Sequence, residues 1–127
     1  MNVTAEVNKD GTVDLICKQG TTWEFYVTLE DEGGNPIDLT GYTGRGQIRK
    51  DYTSENATAS FTVSIDSPKD GKVKILLDAE TTSSIEAGHS YKDEKSKYVY
   101  DIEIEDSNKY VTRILEGIIM VSPEVTK

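Results

Sequence analysis

Cysteine is almost absent from this 127-residue chain: Cys17 stands alone, so no disulfide framework exists within it. Histidine is as scarce, with His89 the only one, and one histidine beside one cysteine excludes a zinc site of the usual kind. Positive charge is in deficit, because 14 Lys and Arg face 23 Asp and Glu, a formal net charge of −9. Phosphate binding needs clustered Lys and Arg to release counterions, so nucleic acid is a poor partner. An anionic membrane surface is disfavoured for the same reason. Long apolar runs are missing too. The longest, Gly117-Ile-Ile-Met-Val121, falls far short of the ~20 residues of a membrane helix. The start, Met1-Asn-Val-Thr-Ala-Glu-Val7, has neither a basic cluster nor an apolar stretch, so no signal peptide is expected. Without a secretory route, the sequons Asn2-Val-Thr4 and Asn56-Ala-Thr58 read as chance matches.

What the chain does hold is length for one domain. By surface scaling, a protein of this size exposes roughly 6,700 Å² and buries somewhat under ~70% of its unfolded surface, enough for one core without staples. The dominant pattern is period-two alternation broken by turn residues, the mark of strands. In Trp23-Glu-Phe-Tyr-Val-Thr-Leu29 the odd positions are apolar and the even ones polar or amphipathic. Asp31-Glu-Gly-Gly-Asn-Pro36 then breaks the strand. Phe61–Ile65 and Lys72–Leu77 alternate about the turn Ser67-Pro-Lys-Asp-Gly71 and predict an antiparallel hairpin. Tyr98–Glu105 places Tyr98, Tyr100, Ile102 and Ile104 on one face, with Asp101, Glu103 and Glu105 on the other. The longer, more apolar Tyr110–Val121 suits a central strand, where Gly117 marks a bulge or a close approach by another backbone. Val13–Lys18 predicts a strand that Val3–Val7 would pair with, and Thr43–Lys50 another, whose Gly44 and Gly46 leave room for Trp23 or a neighbouring chain. One helix is expected near 79–87, capped by Asp78 and stopped by Gly88. Strands recurring every ten or so residues indicate a β-sandwich or a small barrel.

Reactive constellations are few. His89 lies in Ala87-Gly-His-Ser-Tyr91, with Asp93 near in sequence but no nucleophile elbow, and reads as an exposed loop residue. Cys17 reads as a small buried hydrophobe. Asp101, Glu103 and Glu105 could pair as hydrolytic carboxylates, but the aromatics fall on the opposite strand face, so they read as a solvated surface. Asp31, Glu32, Asn35 and Asp38 offer oxygens for calcium without the ordered loop spacing that binds it. Arg45 and Arg49 make a small basic spot, either balancing acidic neighbours or meeting an acidic patch on another copy. Seven tyrosines against two phenylalanines hint at contacts, since tyrosine buries area while keeping a polar handle.

Several phrases in order resemble small structural proteins of tailed bacteriophages and the N-terminal domain of phage upper-baseplate proteins. They are Lys18-Gln-Gly-Thr-Thr-Trp-Glu-Phe25, Gly34-Asn-Pro-Ile-Asp-Leu-Thr-Gly-Tyr42, Gly46-Gln-Ile-Arg49 and Leu77-Asp-Ala-Glu-Thr-Thr82. Tyr98-Val-Tyr-Asp-Ile-Glu-Ile104 and Gly117-Ile-Ile-Met-Val-Ser-Pro-Glu-Val-Thr126 complete the set, which covers residues 15–126. The resemblance implies an all-β, immunoglobulin-like antiparallel sandwich with one short helix near 79–87. With the length for one domain, the chain is expected to form a single domain over 1–127, with residues 1–12 as an extended arm or an extra hairpin. Asp38-Leu-Thr-Gly41 would form a corner in which Leu39 plugs the core. The expected core comprises Trp23, Phe25, Leu39, Phe61, Tyr100 and Ile102; the expected partner contacts are Tyr26, Arg45, Arg49, Tyr52 and Tyr110. No catalytic residue, cofactor or metal is expected. The implied role is a non-enzymatic tail, baseplate-adaptor or decoration subunit, made in the host cytoplasm and resident in the virion. Its partners would be other virion proteins and further copies of itself, not nucleic acid or membrane. The alternative is a carbohydrate- or receptor-binding sandwich module.

Overall fold

The computed structural model describes residues 2–3 and 11–127, within which eight strands run in chain order. They are β1 (Asn2–Val3), β2 (Leu15–Lys18), β3 (Trp23–Glu30), β4 (Thr43–Arg49), β5 (Ala59–Ser67), β6 (Lys72–Leu77), β7 (Lys97–Glu105) and β8 (Val111–Ser122). Their order across the sheet is β1-β3-β6-β5-β4-β7-β8-β2. Two layers arise because β5 changes partners along its length. Ala59–Phe61 pairs with β4, whereas Thr62–Ser67 pairs with β6. One layer is therefore β1, β3, β6 and the second half of β5; the other is the first half of β5 with β4, β7, β8 and β2. All pairings are antiparallel except that β2 lies parallel to β8. Apart from the two-residue β1, the layer β3-β6-β5 faces the layer β4-β7-β8, and β2 runs along β8. That connectivity is the immunoglobulin-like sandwich.

Alternation decides which side chains enter the core. Tyr98, Tyr100, Ile102 and Ile104 of β7 are buried, as are Val73, Ile75 and Leu77 of β6 and Val27 and Leu29 of β3. Phe61 joins the layers: its ring meets Tyr100 edge-on at 6.1 Å between centroids and Trp23 at 6.3 Å. Leu39 is fully buried, at the Asp38–Gly41 corner. There Asp38 Oδ1 accepts hydrogen bonds from the Thr40 amide (2.9 Å) and hydroxyl (2.6 Å), and the Leu39 amide donates to Pro68 O.

Trp23 and Phe25, expected in the core, are only partly buried. Their rings meet edge-on at 5.0 Å, level with the crossing of β5 between layers, so they line the boundary of the sandwich instead of its interior. The room at Gly44 and Gly46 serves β5: a Cβ would stand 2.3 Å from Val63 Cγ1 at Gly44 and 3.0 Å from Phe61 Cδ2 at Gly46. Gly117 is a close approach, since a Cβ there would lie 2.4 Å from the Val13 carbonyl oxygen. The bulge of β8 falls elsewhere, between the Ile102–Leu115 and Glu103–Arg113 pairs, and turns both Ile114 and Leu115 inward.

The helix is shorter than expected, α1 (Ala79–Ser84). Asp78 caps it by accepting from the Thr81 amide at 2.8 Å, but Ile85 ends it, because this fully buried side chain is drawn into the core in extended backbone before Gly88 is reached. At the N-terminus, Asn2–Val3 pairs with Glu30 and Leu29 of β3 instead of the 13–18 segment, whose partner is β8. The rest of the expected arm or hairpin, residues 4–10, lies outside the described residues.

Candidate interaction face

The outward surface of the larger layer follows from register. Cross-strand partners share a face, so the buried pair Tyr98–Ile119 turns its neighbours Val99 and Ile118 outward together. Met120 stands beside Lys97 on one side and Ile16 of β2 on the other. Ile16, Met120, Ile118 and Val99 thus form an apolar stripe running across β2, β8 and β7, with Ile16 46% exposed. On β4, Arg49 pairs with Val99 and closes the stripe on that side.

Farther along the same strands the face becomes ionic. Arg45 Nε lies 3.0 Å from Glu103 Oε1 and its Nη1 lies 3.2 Å from Glu105 Oε1. Arg113 reaches Glu116 at 3.1 Å, Asp101 at 3.5 Å and Glu103 at 3.7 Å, so Glu103 is shared between two guanidiniums. These partners hold both arginines above their ordinary pKa. Burial pushes Asp101 up, against the pull of Arg113. Each exposed pair adds little to stability on its own. Together, however, the five cations Lys18, Arg45, Arg49, Lys97 and Arg113 stand against the four carboxylates Asp101, Glu103, Glu105 and Glu116 and a fifth, the exposed Asp14, on the same alternation as Ile16 and Lys18. A chain of net charge −9 therefore has one sheet face that is neutral.

Tyr52 rises at the apolar end, on the turn between β4 and β5, and is 79% exposed. Asp51 Oδ1 accepts from the Thr53 amide (2.9 Å) and hydroxyl (2.7 Å), which lowers the Asp51 pKa. The Arg49 guanidinium donates to Ser54 O at 3.0 Å and to Gln47 Oε1 at 2.9 Å. The Asp-x-Thr chemistry is that of the Asp38–Thr40 corner, with the opposite outcome: Leu39 plugs the core and Tyr52 is held out in solvent. Tyr52, Arg49, Gln47, Val99 and Asp101 line a shallow groove of about 190 Å³.

The five expected contact residues do not converge. Arg45, Arg49 and Tyr52 share this face. Tyr26 is 44% exposed on the outside of the other layer, with Lys72 Nζ 4.5 Å from its ring centre. Tyr110 is 71% exposed beside the β7–β8 turn, which Asp106 holds by accepting from the Asn108 and Tyr110 amides. The stripe itself went unseen in the sequence. Ile118 and Met120 sit in an unbroken apolar run where inward and outward residues look alike, and only Val99 between two core tyrosines carried a legible signal.

Other reactive candidates are occupied locally. Asp93 accepts from the amides of His89 and Lys95, which lowers its pKa, so it is bonded to the His89 backbone. Asp31 accepts from the Gly33 and Asn35 amides within its own turn. Cys17 is fully buried, and burial pushes its thiol up to about 12. Among the described residues, no three His, Cys, Asp or Glu side chains gather to hold a metal ion, and no helix is long and apolar enough to cross a membrane.

No protein-family profile and no curated protein sequence matches the chain. Among solved structures it is similar to a mutant of the SrpA adhesin of Streptococcus sanguinis, at 12% identity and a TM-score of 0.49 over 97% of this chain. The chain spans 58% of the length of that structure. It is also similar to the Lin-41 filamin domain, at 14% identity and a TM-score of 0.48, over 94% of this chain and 89% of that one.

Proposed function

We propose that this chain is a non-enzymatic building block of a tailed-phage virion that acts through protein–protein contacts. The observation that supports this most is the outer face of the β2-β8-β7-β4 layer, where a stripe of four apolar side chains and an exposed Tyr52, on a turn held by Asp51, ride on the sandwich. Apolar and aromatic side chains on a preorganised frame favour association, because little conformational freedom is lost when a partner covers them. The ordered motifs that resemble phage structural proteins point the same way. The shifted ionisable groups of the surface are engaged with neighbouring turns and ion pairs, an arrangement suited to shape and not to proton transfer.

Mass spectrometry of particles purified from the strain that carries the coding sequence tests this reading. The chain is expected in stoichiometric, multi-copy amounts, and its absence from intact particles would overturn the assignment. A second reading, a carbohydrate-binding module, draws on the groove beneath Tyr52, where a ring stands beside an amide, a guanidinium and a carboxylate. Glycan-array binding that disappears in Tyr52→Ala, with the chain missing from particles, would favour it.

A further inference from the structure

The neutrality of the larger sheet face is out of keeping with the rest of the molecule. Two copies carrying −9 each repel one another over most orientations, within a Debye length of about 8 Å at physiological salt. That repulsion is smallest where opposite charges already balance, and on this face they do so beside the apolar stripe. We propose that this face docks a second copy of the chain, packing the β4, β7, β8 and β2 strands of two protomers face to face about a two-fold axis. The inference rests on the assembly reading above and assigns one face of the building block.

The register makes the face self-complementary. With the axis in the plane of contact and running between β7 and β8, each β7 side chain lies over its own cross-strand partner in the other copy. Val99 then meets Ile118, Lys97 meets Met120, and Glu103 meets Arg113. Asp101 meets Glu116, a like-charge pair flanked by an Arg113 from each copy. The size also fits. Nine residues of β7 extend about 30 Å and the four strands, each about 5 Å wide, span about 20 Å, so two copies cover roughly 1,200 Å² in total, the lower end of specific interfaces. The dimer is therefore weak and concentration-dependent.

Sedimentation of the full chain from about 1 µM to about 0.5 mM, a range suited to a small interface, tests this. A monomer–dimer equilibrium is expected within that range. It should tighten as salt rises and the residual repulsion is screened, the reverse of an interface driven by ion pairs. Ile118→Lys should raise the dissociation constant at least about tenfold, and Ile16→Asp, at a half-exposed edge position, should raise it with less risk to folding. Tyr26→Ser and Tyr110→Ser, off the face, should leave it unchanged. Amide spectra of the wild-type chain, which need no variant, should shift with concentration at residues 16, 99, 118 and 120. A chain monomeric throughout, a dimer indifferent to Ile16→Asp, or shifts confined to Tyr26 or Tyr110 would each overturn the proposal. A chain found in particles yet monomeric at the highest concentration rejects this face while leaving the particle reading intact. A dimer with the expected shifts but no place in particles does the reverse.

Discussion

Gly117→Ala is the sharpest probe of how the layers are held. The added methyl would stand 2.4 Å from the Val13 oxygen and 3.0 Å from its carbonyl carbon, both backbone atoms, so no side-chain rotation relieves it. The segment before β2 must move away from β8. Doing so weakens two bonds that converge on Val13: its amide donates to Glu116 O at 2.9 Å, and its carbonyl accepts from the Tyr100 hydroxyl at 2.6 Å. Tyr100 is 3% exposed, so its hydroxyl has no water to turn to. Two such bonds are worth about 1–3 kcal/mol together, and forcing a methyl into a packed site costs about 1–3 more. The expected loss is roughly 4 kcal/mol, a large share of the stability of a domain this size. Urea unfolding followed by tryptophan fluorescence would read it as a lower midpoint at unchanged slope. A double-mutant cycle sharpens the test. If the methyl already breaks the Tyr100–Val13 bond, then Gly117→Ala with Tyr100→Phe should cost about 1 kcal/mol less than the two singles summed. A loss under about 1 kcal/mol for Gly117→Ala, or strict additivity, would refute the idea that backbone contact at Gly117 seats β2 on β8.

Leu39→Ala should cost about 3–5 kcal/mol, as a fully buried leucine does, and Trp23→Ala less, about 2–3, because part of its ring remains at the surface; chemical denaturation orders the two. Lys50→Met should lower stability by about 1–2 kcal/mol in thermal melts. The Lys50 ammonium donates to the carbonyls of Glu94, Lys95 and Lys97 and stands 4.4 Å from the Tyr98 ring centre, and methionine keeps only the stem. In acid, Asp38, Asp51, Asp78 and Asp93 have folded pKa values below their ordinary one, held there by donors in their own turns. Their stabilisation is present above about pH 4 and is lost as pH falls through the lowered values. Asp101, raised by burial, works in the opposite sense, being relieved of strain as it protonates. Melts between about pH 5 and 2 should show falling stability that is shallower in Asp78→Asn, which keeps a cap while removing the charge.

The strand positions were legible because alternation and turn chemistry are local: Asp38-Leu-Thr-Gly41 signals its corner through bonds spanning two residues. The helix end was misread at Gly88 because Ile85 leaves the helix for a core built from distant strands. Arg45 and Arg49 were visible as a basic spot, yet their partners sit 58 residues and five residues away respectively, and only pairing brings Glu103 to Arg45.

By itself, then, the sequence determined the strands, the turns between them, the acidity and the absence of sulfur or imidazole clusters, since each depends on neighbours within a few residues. Tertiary structure alone decided that β5 would divide itself between two layers and that Trp23 would lie at their boundary. It also decided that four scattered apolar side chains would line up on a neutral face. Those outcomes depend on cross-strand register, a relation between residues up to about a hundred positions apart that no local pattern encodes.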